Sequence, residues 1–413
     1  MSRSRILNAA LFSACTALGA TANAQPDKAV EPAPDQAQQA EQTVPEPVLV
    51  VREILVLETD RYGEIANNPK LVHTTLFSPI KHTGRDKKVD SSGSYEQSPM
   101  PLGIITFEGE IDEPIRLRVK VNDKSGRIHA HWPSDALVGK SSVEWRGLRN
   151  PDTAKGASEF SDPEGWLSSL RESEDRAWLQ SRDPVSKERF MMYDASFEYS
   201  PALSLSLKDK AYRVKSRSPE RAAPPLTLFI QKDEKKGVKS DALLAPWPQP
   251  TALIGNIPAD NDASFGSIRQ SLAPLAELLE RRGYNPEEIE LAQQMVASAG
   301  LHRSNMSLVY VLPIGEIDEH VELRMKPEPD KLIRTAIVVV TNVDPDLGSQ
   351  VEGLIADLGS EQWAQRDRAQ RELLALGQAA IRKIQTLKKH QDPEIAFRAR
   401  QILDDYDLRM GGP

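Results

Sequence analysis

The chain has 413 residues, 39% of them apolar, and a formal charge of −8. That length suggests two or three domains, and the acidic balance argues against a dedicated nucleic-acid binder. The only cysteine is Cys15, inside a leader-like start, so a chain cut after that leader has no disulfide, thiolate metal site or cysteine nucleophile.

Residues 1–24 read as a signal peptide. Arg3 and Arg5 give a positive start, 6–20 is mostly small and apolar, and Ala22-Asn23-Ala24 fits a small-x-small cleavage rule. Cleavage after Ala24 predicts an extracytoplasmic, periplasmic or secreted protein. Removing Arg3 and Arg5 leaves 50 basic against 60 acidic side chains, a balance of −10. Phe12-Ser13-Ala14-Cys15 resembles a bacterial lipobox, so a lipid anchor at Cys15 is the alternative to simple cleavage. No segment approaches the ~20 apolar residues of a transmembrane helix.

Residues 25–47 are rich in Pro, Ala, Gln and Glu and read as a disordered linker. From 48 to 250 the dominant period is two. Ile115, Leu117, Val119 and Val121 alternate with Arg116, Arg118 and Lys120. Leu203, Leu205 and Leu207 alternate with Ser204, Ser206 and Lys208. Further strands are expected at 48–57, 102–109, 142–148, 191–199, 212–217 and 226–231. This predicts an antiparallel, sandwich-like β-rich domain with one short helix near 163–171. Trp145, Trp166, Trp178 and Trp247 read as its core residues.

Residues 251–343 read as an αβ segment, either a small domain or a continuation of the first. A helix is expected from Ser267 to Gly283 and a second from Asn285-Pro286-Glu287-Glu288 to about 298. Strands follow at 306–312, 321–325 and 333–341. Residues 344–413 are helical. Val351, Leu354, Ile355 and Leu358 share one helical face, as do Ala380, Ile381, Ile384 and Leu387, and then Ile395, Ala399, Ile402, Leu403 and Tyr406. The fold class is therefore α+β and multidomain.

Arg368-Ala369-x-x-x-Leu373 recurs 30 residues later as Arg398-Ala399-x-x-x-Leu403. A period in that range marks helical repeats. Asp392-Pro393-Glu394-Ile395 with Arg398-Ala399 resembles the second helix of a HEAT repeat, and Leu376-Gly377-x-Ala379-Ala380 resembles the turn and first helix of such a unit. The resemblance implies that Asp392 caps its helix and that Arg398 contacts a neighbouring repeat. It covers about two units, too few for a long solenoid. Upstream, YNPEEIELAQQMV with LVYVLP and ELRMKPEPDKLIR is similar to a pattern in uncharacterised exported bacterial proteins, which implies no catalytic residues.

Candidate sites are few. His129 and His131 are two apart on an expected strand, the spacing two metal ligands need, but Arg127 shares that face and no third ligand is identifiable. Ser134 with Gly139-Lys140-Ser141 lacks the leading glycine of a P-loop and runs into a strand. Ser78-x-x-Lys81 lacks the companion motifs of serine acyl enzymes. Asp260-Asn261-Asp262 opens like a calcium loop, but Phe265 and Ser271 stand at its glycine and glutamate positions.

Two basic rows are more informative: Arg116, Arg118 and Lys120, then Arg213, Lys215 and Arg217. Joined in one sheet they would suit an acidic glycan, a lipid headgroup or another polyanion. As a solvated face they would discourage edge pairing. The expectation is an exported, non-catalytic interaction or structural protein of the cell envelope, needing no cofactor and meeting a protein partner through its helical end. The alternatives are an envelope hydrolase with an unrecognised site, or polyanion binding by the basic sheet.

Overall fold

The computed structural model describes residues 49–60, 103–124, 126–133, 135–151, 167–174, 176–180, 187–217, 224–233, 237–242, 253–258, 266–301, 304, 306–376 and 378–409. The leader with Cys15, the linker, Ser78, Lys81, Ser134, Trp166, Trp247, Asp260, Asn261, Asp262 and Phe265 lie outside these residues.

The chain is mixed α and β, with large sheets and with its helices concentrated toward the C-terminus. The strands begin with β1 (Val50–Asp60), β2 (Gly103–Glu108), β3 (Ile115–Val121), β4 (Arg127–Trp132), β5 (Leu137–Val138) and β6 (Ser142–Leu148). After the short helix α1 (Ser168–Glu172) come β7 (Leu179–Gln180), β8 (Lys187–Glu188), β9 (Phe190–Ser196), β10 (Leu203–Lys208) and β11 (Ala211–Ser216). Next are β12 (Thr227–Asp233), β13 (Gly237–Ala242) and β14 (Leu253–Pro258). Helices α2 (Ile268–Ser271), α3 (Ala273–Arg282) and α4 (Pro286–Val296) precede β15 (Met306–Val311), α5 (Glu316–His320), β16 (Val321–Lys326) and β17 (Lys331–Thr341). The end is helical: α6 (Leu347–Leu358), α7 (Trp363–Ala375), α8 (Gln378–Thr386) and α9 (Pro393–Arg409).

An eight-stranded sheet has the order β13-β12-β15-β17-β1-β2-β9-β4. Every pairing in it is antiparallel except its centre, where β1 and β17 run parallel along eleven residues. The parallel partner comes from 251–343; among the described strands of 48–250 every pairing is antiparallel. β15 and β17, from 251–343, lie inside the sheet begun at residue 50.

Both faces of this sheet are buried. Toward one face, Val51, Leu55 and Leu57 of β1 with Ala336, Val338 and Val340 of β17 meet the inner sides of two smaller sheets, β16-β3-β6-β5 and β10-β11-β14. Toward the other, Ile54, Val56, Ile337 and Val339 meet Leu275, Leu279, Leu291 and Met295 of α3 and α4. A strand covered on both sides reads as a nearly continuous apolar run, as IVVV in β17 does.

The period of two is kept where one face is wet. β3 alternates buried Ile115, Leu117, Val119 and Val121 with more exposed Arg116, Arg118 and Lys120. In β9 it is lost, because both faces are covered and six successive residues are buried. The single helix expected from Ser267 to Gly283 is broken at Leu272, since Pro274 has no N–H to continue it. Gly283 closes α3 at φ 90°, a conformation glycine adopts at little cost.

The helices α6 to α9 have a core of their own, with Val351, Leu358, Ala369, Leu373, Ile384, Ala399 and Leu403 inside it. Among the described residues, none before Leu347 belongs to it. Its apolar faces pack against each other.

Candidate functional site

The most distinctive surface is the open face of the β16-β3-β6-β5 sheet. Its inner side is fixed by Leu117, Val119, Val143 and Trp145, so the alternate residues must face outward. Register places Lys326, Arg116 and Arg146 in one cross-strand row, Arg324, Arg118 and Glu144 in the next, and Glu322, Lys120 and Ser142 in the third. Six basic groups thus share the face with two carboxylates. Arg116 Nη2 is 2.8 Å from Glu144, Arg146 also pairs with Glu144, and Arg324 pairs with Glu322. The hydrogen bond from Arg116 holds the Glu144 carboxyl below its ordinary value, against the opposing effect of desolvation, with Arg146 assisting.

The second basic row does not join this face. β3 has β16 and β6 on its two edges, whereas β11 has β10 and β14 on its own, so the rows belong to separate sheets. Arg213 pairs with Asp209 at 3.0 Å, and Lys215 stands opposite Ser204. Arg217 borders a cavity of about 220 Å³ lined by Leu203, Leu205, Val340, Val343 and Pro345. The combined cationic surface expected from the two rows is corrected to one dense face and one dispersed row.

The histidine pair is divided by a bulge. The β4–β9 register shifts between Ile128 and Ala130, which leaves His129 as an extra residue and breaks the simple alternation. His129 Nε2 lies 2.7 Å from Ser196 Oγ, while His131 meets the Trp145 ring edge-on at 6.4 Å. Among the described residues no cluster of three or more His, Cys, Asp or Glu could hold a metal ion.

Two buried charge networks escape reading from sequence alone. On one face of the large sheet, Glu53 is wholly buried. It accepts from Tyr193 Oη at 2.8 Å and from Arg334 Nε at 2.5 Å. Arg334 also donates to the Val321 carbonyl at 3.0 Å and pairs with Asp318 toward solvent. Burial, then the charge of Glu53, pushes the Tyr193 hydroxyl well above its ordinary value.

On the opposite face, Glu288 in the first turn of α4 accepts the Asn285 N–H at 2.8 Å and Arg176 Nη1 at 2.7 Å, and it also accepts from Thr106 Oγ1. Arg52 reaches the Gly283 carbonyl at 2.7 Å and Glu108 at 2.5 Å. A nearby pair, Arg171 and Glu188, is 2.7 Å apart, with Trp132 Nε1 donating to Glu188 at 3.1 Å. The signal for these groups is Arg52-Glu53 inside the apolar VVREILVL and Arg334 inside KLIRTAIVVV: a charge in a strand covered on both sides needs a partner.

In the helical end, Asp392 Oδ1 accepts the Glu394 N–H at 2.8 Å and so caps α9. Arg398 of α9 reaches Gln370 of α7 at 2.8 Å, and Arg366 of α7 reaches Glu394 of α9 at 3.0 Å. Both contacts advance in the same direction along the two helices, which therefore run parallel. Trp363 on α7 is 65% exposed and Phe397 on α9 is 53% exposed. Among the described residues no helix is long and apolar enough to cross a membrane. Compared with known proteins, the chain matches no family model, and no curated protein is significantly similar to it.

Proposed function

We propose that this chain is an exported, non-catalytic protein-interaction or structural protein of the cell envelope, with its HEAT-like helical pair as the docking surface. The observation that carries this reading is the exposure of Trp363 and Phe397 on two parallel helices whose core is already closed. Large aromatics left wet on a finished helical unit supply the contact area from which protein interfaces draw most of their energy. The converging ionisable groups elsewhere are partnered inside the core: Glu53 with Arg334, and Glu288 with Arg176. That arrangement favours a structural role for them over a hydrolytic one.

The full chain, immobilised and exposed to envelope extract, is expected to retain a defined partner. Replacing Trp363 and Phe397 together by Ser should abolish retention, whereas Leu207→Ser, at an exposed apolar residue of β10, should leave it intact. Retention indifferent to the Trp363/Phe397 pair would overturn the reading.

A further inference from the structure

We propose that the open face of the β16-β3-β6-β5 sheet docks on an anionic lipid surface. The first observation is charge segregation. The chain as a whole is acidic, yet six of the eight ionised groups in these three cross-strand rows are basic. Like charges directly opposite each other destabilise a sheet, and Arg116 stands between Lys326 and Arg146, while Arg118 stands between Arg324 and Glu144. Both carboxylates are already engaged, Glu144 with Arg116 and Arg146 and Glu322 with Arg324. Among the described residues no carboxylate is within ion-pairing distance of Arg118, Lys120 or Lys326, so external anions are the groups this face can neutralise.

The second observation selects the kind of anion. In β5, the short edge strand of the same sheet, Leu137 is 53% exposed and stands opposite Glu144 on the cationic face, whereas Val138 stands opposite Val143 and points to the other side. A cationic face with an apolar lip matches a bilayer interface, where phosphates meet the guanidinium and ammonium groups and the lip enters the headgroup boundary. A dissolved acidic polysaccharide would use the cations but give Leu137 nothing to bury against. This inference does not depend on the helical docking surface.

The test is sedimentation of the full chain with phosphatidylglycerol–phosphatidylcholine vesicles. Pure phosphatidylcholine vesicles set a baseline that includes any insertion by the N-terminal leader. Binding above that baseline is expected, and it should weaken as salt is raised. Arg118→Glu with Lys120→Glu should weaken it about tenfold or more. Should that pair fail to fold, Arg118→Gln with Lys120→Gln removes the same charges more gently and should still weaken binding severalfold.

Leu137→Ser should weaken binding while leaving its salt dependence unchanged. Arg213→Glu with Lys215→Glu, on the other sheet, should leave it as in the parent. No binding above the neutral baseline would overturn the proposal, as would indifference to loss of the Arg118 and Lys120 charges. Equal binding of soluble polygalacturonate, unaffected by the Leu137 change, would instead make the face a polysaccharide site and equally overturn it.

Discussion

Glu53 and Arg334 stand opposite each other across the central parallel pair, with Arg334 Nε 2.5 Å from a Glu53 carboxylate that has no exposure to water. Desolvating two charges is costly, and each is tolerated because the other is there. Removing one partner strands the other. Glu53→Leu or Arg334→Leu should therefore each cost about 3–5 kcal/mol, read from urea unfolding midpoints of the full chain. Replacing both by Leu should recover much of that loss, because an apolar pair needs no compensation. Single variants as stable as the parent would show that the pair is not desolvated.

Tyr193, which holds the other oxygen of Glu53, depends on a glycine across the sheet. Gly103 pairs with Tyr193, and a Cβ added there would lie 2.6 Å from Tyr193 Oη and closer still to the ring. Gly103→Ala should destabilise by roughly 1–3 kcal/mol through overpacking. In a Tyr193→Ala background the same change should cost far less, because the obstructing ring is gone. A double-mutant cycle measures this directly, and additive effects would refute the assigned contact.

These two relationships show where sequence reading stops. The strands that alternate, β3 above all, were legible because one face is wet and the other dry. The helical end was legible from its period, and the buried faces of Val351, Ile384 and Ala399 follow the expected spacing. The pairing of β1 with β17 was not legible. It joins residues some 280 positions apart, and local periodicity carries no information about partners at that distance. The basic rows could be seen, but their separation into two sheets depended on which strands occupy each edge. The histidine pair failed for a local reason, a one-residue bulge that alternation cannot reveal.

Alkaline pH provides a third prediction. Tyr310 is buried beneath Tyr199, with the two hydroxyls 2.8 Å apart and the Ala202 N–H donating at 3.0 Å. Burial raises its ionisation from 10.0 to about 12, against the lowering effect of those hydrogen bonds. A folded-state value above the unfolded one means the neutral hydroxyl is favoured by folding. That contribution is complete below pH 10.0 and disappears as pH rises to about 12. Stability should fall by roughly 2–3 kcal/mol across that window on account of this group. Tyr310→Phe should cost about 1 kcal/mol at neutral pH through the lost hydrogen bonds, yet show a shallower alkaline decline. An identical pH profile in the variant would disprove the assignment.

The helical end permits a test of its internal repetition. Ala369 and Leu373 of α7 are fully buried, and Ala399 and Leu403, 30 positions on in α9, occupy the same kind of site. Arg398 bridges the two helices through Gln370, so α7 and α9 meet along the side that carries this echo. Alanine at both positions leaves room for close approach, and a larger side chain would force the helices apart. Ala369→Leu and Ala399→Leu should each cost about 1–3 kcal/mol in the helical unit. Because that unit has its own core, the loss should appear in far-UV helical signal and in Trp363 fluorescence before the sheet unfolds. If one substitution is costly and the other neutral, the two sites are not equivalent and the reading of the 30-residue echo as a helical repeat fails.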